Sequence, residues 1–155
     1  MTLEFTTSRA LAPQFLRHRS FTFQEFSQRY SSPTEYEKYE ARRQAEKNRQ
    51  SSIDDLPEVD KVWFRQAQSL MAESGFLFYE EAIKRGIAKE CARFLLPATT
   101  TTTIYMTGTL RSWIHFIEER SKEETQFETR QLALEARGIF KDQFPIISEA
   151  LGWSQ

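Results

Sequence analysis

Residues 17–30 read Arg17-His18-Arg19-Ser20-Phe21-Thr22-Phe23-Gln24-Glu25-Phe26-Ser27-Gln28-Arg29-Tyr30. Three guanidiniums, an imidazole and a carboxylate stand there among aromatic side chains. Arginine keeps its charge at any working pH and presents a planar fork of donors, which suits phosphate oxygens and the edges of heteroaromatic rings. Ser27, beside Arg29, adds the short hydroxyl that completes a phosphate cradle. Glu25, between the basic ends, reads as an acceptor for donors such as ribose hydroxyls. A run of this kind standing alone is more often a solvated basic turn. Its backbone reads as a loop and short helix, broken by Ser31-Ser32-Pro33.

A second basic cluster lies far downstream. Arg93 precedes Phe94-Leu95-Leu96-Pro97, and Arg111, His115 and Arg120 recur along one predicted helix. Arg111 and His115 are four apart and share a face. Arg120 comes about 180° round from Arg111 at 100° per residue, so the helix presents cations in two directions. Taken singly, each has a plain reading. Arg93 suits a helix end, His115 suits a surface or a hydrogen-bonded core position, and Arg120 after Glu118-Glu119 suits an ion pair worth under about 1 kcal/mol.

The composition narrows the classes. A chain of 155 residues suits one domain spanning 1–155. With 28% charged and 39% hydrophobic residues it is a folding composition rather than a disordered one. A net charge of -1 provides no sequence-wide field for nucleic acid, so any anion site must be local. A basic helical RNA-binding protein fits the arginines but neither that charge nor the neighbouring carboxylates. Thirteen Phe residues imply a Phe-rich core or, alternatively, aromatics exposed for ring stacking or a subunit interface. The single Cys91 excludes an internal disulfide and a multi-Cys metal site, so no metal is expected; next to Ala92 it reads as a small core residue. No apolar run is long enough to cross a membrane and no leader is visible, which points to a cytoplasmic protein without a membrane partner.

The remaining elements follow in order. Leu3 to Thr7 reads as a short strand. Ser8 caps a helix to about Arg17 with Ala10, Leu11 and Phe15 inward and Pro13 kinking it. Thr34 to Arg49 is polar, with helical propensity but little apolar face, and reads as an exposed helix or a partly mobile segment. Pro57 opens a long helix whose Val59, Val62, Trp63, Ala67, Leu70 and Met71 form an apolar stripe expected to be buried. Gly86 ends that helix. A further helix from about Ala88 buries Cys91, Ala92, Leu95 and Leu96 and stops before Pro97. The threonine run Thr99–Thr103, continued by Ile104, Tyr105 and Met106, reads as a strand ending near Thr107-Gly108. Thr109 caps a helix from Leu110 to about Arg120 with Trp113, Phe116 and Ile117 on one face. A last helix from about Gln126 carries Leu132, Ala136, Ile139 and Phe140, and Pro145 interrupts it before a short tail. Strands separated by helical runs make an α+β domain.

Arg17-His18-Arg19 followed after seven residues by Ser27 resembles the signature of the flavin-dependent thymidylate synthases, with Gln14, Glu25, Arg29 and Tyr30 extending the match. Glu40 to Gln44 and Asn48 to Ser52 resemble a further segment of that family. Ala92-Arg93-Phe94-Leu95-Leu96-Pro97 resembles its Ala-Arg-x-x-Leu-Pro segment, and Thr107 to Phe116 with Arg120 resembles its Arg-Ser helix. The resemblance runs from Glu4 to about Phe140. It implies the thymidylate synthase complementing protein fold, mixed helices with a small antiparallel sheet.

The resemblance further implies methylation of dUMP to dTMP, with methylenetetrahydrofolate and NADPH as co-substrates and FAD as cofactor, in a homotetramer whose active sites are shared between subunits. By position, Gln14, Arg17, Glu25, Phe26, Ser27, Gln28, Arg29, Arg93 and Arg120 would hold dUMP. Ser27, Gln28 and Arg29 would lie at its phosphate, and Arg120 at the uracil edge would be the catalytic cation. Arg17, His18, Arg19, Glu25, Thr109, Arg111 and His115 would contact FAD. Ser27 has no sequence-adjacent base to make it a nucleophile, whereas a phosphate contact needs none. Members usually carry further residues before the point matching Leu3, so the chain reads as a short or N-terminally truncated member. Thr109 stands where many have Asn or Ser, and Gln28 where Gly is common. The alternative implied is a catalytically incomplete nucleotide-binding or assembly subunit of the same fold.

Overall fold

In the computed structural model the described residues are 1–30, 32, 35–48 and 51–153. The sheet is built on the threonine run. β-Branched side chains favour extended backbone, and Thr101–Gly108 forms a strand with Thr102, Ile104 and Met106 buried on one face. It pairs antiparallel on both edges, with Thr2–Ser8 (β1) on one side and Phe21–Glu25 (β2) on the other. Phe5 lies opposite Ile104, and Phe23 opposite Met106. Because Arg43–Gln44 (β3) and Ser52–Ile53 (β4) pair only with each other in a separate two-stranded ribbon, Thr101–Gly108 is β5 and the main sheet runs β1-β5-β2.

Helix Leu110–Arg120, here α4, follows β5 directly and lays Trp113, Phe116 and Ile117 on the sheet. Phe5, Phe15, Phe21, Trp113 and Phe116 form one aromatic core with ring centroids 5.0 to 6.4 Å apart. The Trp113 indole N–H donates to the Met1 carbonyl at 2.9 Å, so its one polar atom is satisfied. Phe127–Gln143 (α5) packs against α4 through Thr129, Ala133, Ala136 and Phe140. The other helices are Ala12–Leu16 (α1), Glu58–Lys84 (α2), Lys89–Ala92 (α3) and Pro145–Ala150 (α6).

β5, α4, the start of α5 and the start of α2 fall where the sequence places them, and Thr109 caps α4 by accepting from the Ser112 backbone N–H at 3.2 Å. Other expectations are corrected. β1 continues through Ser8, which caps nothing; α1 begins at Ala12, so Pro13 stands in the first turn, where its missing N–H is not needed, and no kink results. The expected short helix after Arg19 is instead strand β2, because Phe21 and Phe23 turn inward while Thr22 and Gln24 face out, a period of two.

The polar segment, expected as an exposed helix or partly mobile, forms no helix over its described residues, where only Arg43–Gln44 is strand. Its backbone is taken up elsewhere: Thr101 N–H donates to Glu35, Glu37 N–H to Thr99, and the Gln68 side chain bonds both N–H and carbonyl of Tyr39. Ser31, Pro33, Thr34 and Arg49 lie outside the described residues.

The expected apolar stripe of α2 is not buried within the chain. Val59, Val62, Trp63, Leu70 and Met71 are exposed, and α2 buries Ala72, Gly75, Tyr79 and Ala82 instead, a different face, against α3 and the 3-10 turn Arg93–Leu95. Cys91 and Leu95 are exposed rather than core. Ala10 and Ile139 also face solvent. Pro145 does not lead into a tail but opens α6, after which Trp153 folds back edge-on to Phe140 at 5.5 Å.

Candidate functional site

Two residues far apart in the chain meet at the end of α4. The Arg120 Nε–H donates to His18 Nε2 at 2.9 Å, and its Nη2 donates to the Gln14 carbonyl at 3.2 Å. The core sets this approach: Phe15, next to Gln14, packs on Phe116, one turn before Arg120, with ring centroids 5.8 Å apart. The His18 ring stands edge-on to Phe116 at 4.9 Å. Burial, reinforced by Arg120 and His115 and opposed by Glu119, lowers the His18 pKa to about 4. Neutral imidazole therefore prevails near pH 7, and a lone pair on Nε2 puts its proton on Nδ1. Burial and the charge of Arg17 also lower the pKa of Arg120, which nevertheless stays a cation.

Gln14 is gripped by side chains that sequence reading missed. Its Nε2 donates to Gln126 Oε1 at 2.5 Å, and its Oε1 accepts from the Thr129 hydroxyl at 3.0 Å. Thr129 is fully buried. Neither stands out in a polar helix start; only the fold brings them to Gln14. Gln14, Arg17, Arg120, Lys122 and Gln126 line an open cleft of about 520 Å³.

Along α4, Arg111 and His115 are exposed one turn apart. The Ser112 hydroxyl donates to the Ser20 carbonyl at 3.3 Å, tying the start of α4 to the loop that carries Arg17, His18 and Arg19. The Thr109 hydroxyl is already engaged by Ser112 as a helix cap.

The other predicted residues gather beyond the far end of β2. Glu25 Oε1 meets Arg9 Nη1 at 2.9 Å and accepts from the Thr102 hydroxyl at 3.0 Å. Arg9 Nη2 also donates to the Phe26 carbonyl at 2.5 Å, so this residue, unmarked in the sequence, clamps the start of the Phe26–Arg29 turn. Ser27 Oγ accepts from the Arg29 N–H at 3.3 Å, and Gln28 Nε2 is buried with no partner among the described residues. Arg29 pairs with Glu90 at 3.1 Å, while Arg93 Nε donates to the Glu90 carbonyl at 3.2 Å, so Glu90 brings Arg29 and Arg93 to one place. Gly75 admits the Arg93 turn against α2: a Cβ there would stand 2.9 Å from the Leu95 carbonyl oxygen.

The candidate residues thus form two groups. Gln14, Arg17, His18 and Arg120, with Arg19, Thr109, Arg111 and His115 along the adjoining surface, lie towards the start of β2. Glu25 to Arg29 and Arg93 lie at its other end, about 13 Å away at 3.3 Å per strand residue. The arginines also differ in their partners. Arg9, Arg29, Arg42, Arg43, Arg65 and Arg85 each meet a carboxylate. Among the described residues Arg17, Arg19, Arg93, Arg111, Arg120, Arg130 and Arg137 meet none at ion-pair distance; of these, Arg93 bonds a backbone carbonyl and Arg137 lies over the Trp153 ring. Guanidiniums without a directly bonded carboxylate are suited to a bound anion. Among the described residues, no group of three or more His, Cys, Asp or Glu is placed to hold a metal ion, and no helix is long and apolar enough to cross a membrane.

Comparison with known proteins gives these groups a context. The sequence model of the thymidylate synthase complementing protein family matches residues 1–146. A flavin-dependent thymidylate synthase of Synechocystis sp. is 59% identical over 153 residues, covering 99% of this chain and 71% of its own length. A probable flavin-dependent thymidylate synthase of Paramecium bursaria Chlorella virus 1 is 52% identical over 154 residues, covering 99% of this chain and 71% of its own. Among solved structures, the UMP/dUMP methylase PolB from Streptomyces cacaoi, bound with 5-Br dUMP, superposes with a TM-score of 0.87 at 22% identity, over 98% of this chain and 70% of that one. At that identity the likeness speaks to the fold.

Proposed function

Because this chain belongs to the thymidylate synthase complementing protein family, we infer that it is a flavin-dependent thymidylate synthase, a methyltransferase that converts dUMP to dTMP. FAD is the cofactor of this reading, with methylenetetrahydrofolate as the carbon source and NADPH as the reductant. Its substrates are soluble metabolites, which supports work in the cytoplasm.

The observation that carries the reading is the set of guanidiniums without carboxylate partners. Arg17, Arg19 and Arg111 supply cationic donors, with His115 as a further ring-nitrogen group, and suit the diphosphate of a flavin dinucleotide. When bound, the flavin supplies the redox chemistry. The chain's own part is placement and charge. Arg120, desolvated yet cationic, favours the ionised uracil ring and so activates its carbon towards methylation. Gln14 orients the base from the same cleft. Ser27, Gln28 and Arg29 take the phosphate, with Glu25 at the ribose and Arg93 beside Arg29. Thr109 contributes chiefly by starting α4, since its hydroxyl is occupied by Ser112.

Two features favour sites assembled from more than one copy. The nucleotide-binding residues divide between the ends of β2. In addition, Trp63, Leu70 and Leu77 stand seven residues apart on α2 at 67%, 66% and 63% exposure, an apolar seam suited to another helix of the same kind. A homotetramer with shared sites accounts for both.

The deciding experiment is tritium release from 5-tritiated dUMP with FAD, methylenetetrahydrofolate and NADPH supplied. Release with formation of dTMP is expected. Binding of dUMP without release would make the chain a nucleotide-binding subunit instead. Shared sites predict a second result: Arg29→Ala and Arg120→Ala proteins, each inactive alone, regain activity when mixed and reassembled. Failure to regain it, with both variants folded, would place each site within one chain.

A further inference from the structure

We propose that His18 is a positioning residue for Arg120, holding its guanidinium through an Nε–H···Nε2 hydrogen bond as the neutral imidazole with its proton on Nδ1. The proposal rests on the reading above, in which Arg120 lies at the uracil edge.

Three observations carry it. The Arg120–His18 bond is 2.9 Å long, and a second bond, to the Gln14 carbonyl, holds another edge of the same guanidinium. Two acceptors from one short stretch of chain fix the plane of the group and leave its remaining N–H donors free for the cleft. The His18 ring is itself held, edge-on to Phe116 at 4.9 Å and to Phe21 at 6.4 Å. Finally, both acceptors are neutral. Arg9 and Arg29 are fixed by carboxylates, which offset their charge. An imidazole orients Arg120 without bonding a carboxylate to it, so its charge is offset only by Glu119 and Glu124 of the same cleft, neither bonded to it, and is available to an anionic ring, as a preorganised electrostatic site needs. The charged and titratable groups around His18 are Arg120, His115 and Glu119; Arg120 itself faces Arg17 and Glu119, with Lys122 and Glu124 in the same cleft. Protonated His18 has no Nε2 lone pair and would set a second cation against Arg120, so the arrangement works in one protonation state and one tautomer.

The first test is nitrogen-15 NMR of the purified protein, whose only histidines are His18 and His115, the signals being assigned with His115→Gln. At pH 7.5 His18 is expected to show a protonated Nδ1 and a bare Nε2; an imidazolium, or a proton on Nε2, overturns the proposal. The second is dUMP titration calorimetry on FAD-loaded protein. His18→Phe keeps the ring and its packing but has no acceptor, and should weaken dUMP binding about tenfold. His18→Gln carries an amide oxygen near the Nε2 position and should restore most of it. Equal affinity of wild type and His18→Phe, or equal loss in both variants, rejects the role. Wild-type protein that binds no dUMP would defeat the functional reading, while the NMR result would still decide whether His18 holds Arg120. If His18→Phe fails to fold, the tautomer measurement decides.

Discussion

Burial, Arg120 and His115 together hold the His18 pKa down to about 4 from an ordinary 6.5, against the pull of Glu119. The sign of the consequence follows from proton counting. Between pH 6.5 and about 4 the unfolded chain binds a proton at His18 that the folded chain does not, so stability falls as pH drops through that window and this contribution is exhausted below it. The urea midpoint should therefore fall between pH 7 and pH 4 in wild type. In His18→Gln, which has nothing to titrate at that position, the fall should be shallower. Parallel curves for the two proteins would show that His18 titrates as it would in water. The same imidazole is legible in the sequence only as part of a basic run. Its neutrality comes from Phe116 and Arg120, which approach it through the fold.

Helix α4 carries Arg111, His115 and Arg120, and its start depends on one hydroxyl. The Thr109 oxygen accepts the Ser112 N–H, satisfying one of the donors left without an intrahelical partner at a helix N-terminus. Thr109→Ala should lower unfolding stability by about 1 kcal/mol, measured by chemical denaturation. Thr109→Asn, another capping side chain, should leave stability nearly unchanged. A stable Thr109→Ala protein with impaired flavin binding would assign the hydroxyl to the ligand rather than the helix. Strand β2 illustrates the opposite case. Charged ends disguised it as a loop and short helix, and only pairing with β5 reveals why Phe21 and Phe23 share a face.

At the scale of the molecule, the apolar stripe of α2 is legible in the sequence, but it is not covered within one chain. Periodicity reports that a face is hydrophobic, not what covers it. Within one chain α2 spends its small residues and Tyr79 on α3 and the following turn, and Trp63, Leu70 and Leu77 remain outward. Replacing Leu70 by Glu would put a charge in the seam. Light scattering should then report a smaller assembly than wild type, with catalytic activity lost because the two halves of each site part. An unchanged mass would remove α2 from the subunit interface.

Local features are legible in the chain: the β-branched run that becomes β5, the N-cap and apolar face of α4, and the identity of the cations all depend on residues within a turn or two of one another. What depends on distant neighbours is not, and there folding chooses the partners. It turned the signature stretch into an edge strand, paired Arg9 with Glu25, and brought Gln126 and Thr129 to Gln14. It also set His18 against Arg120, which stands 102 residues away along the chain. Packing Phe15 on Phe116 fixes that last meeting, and no local pattern encodes which buried ring will touch which.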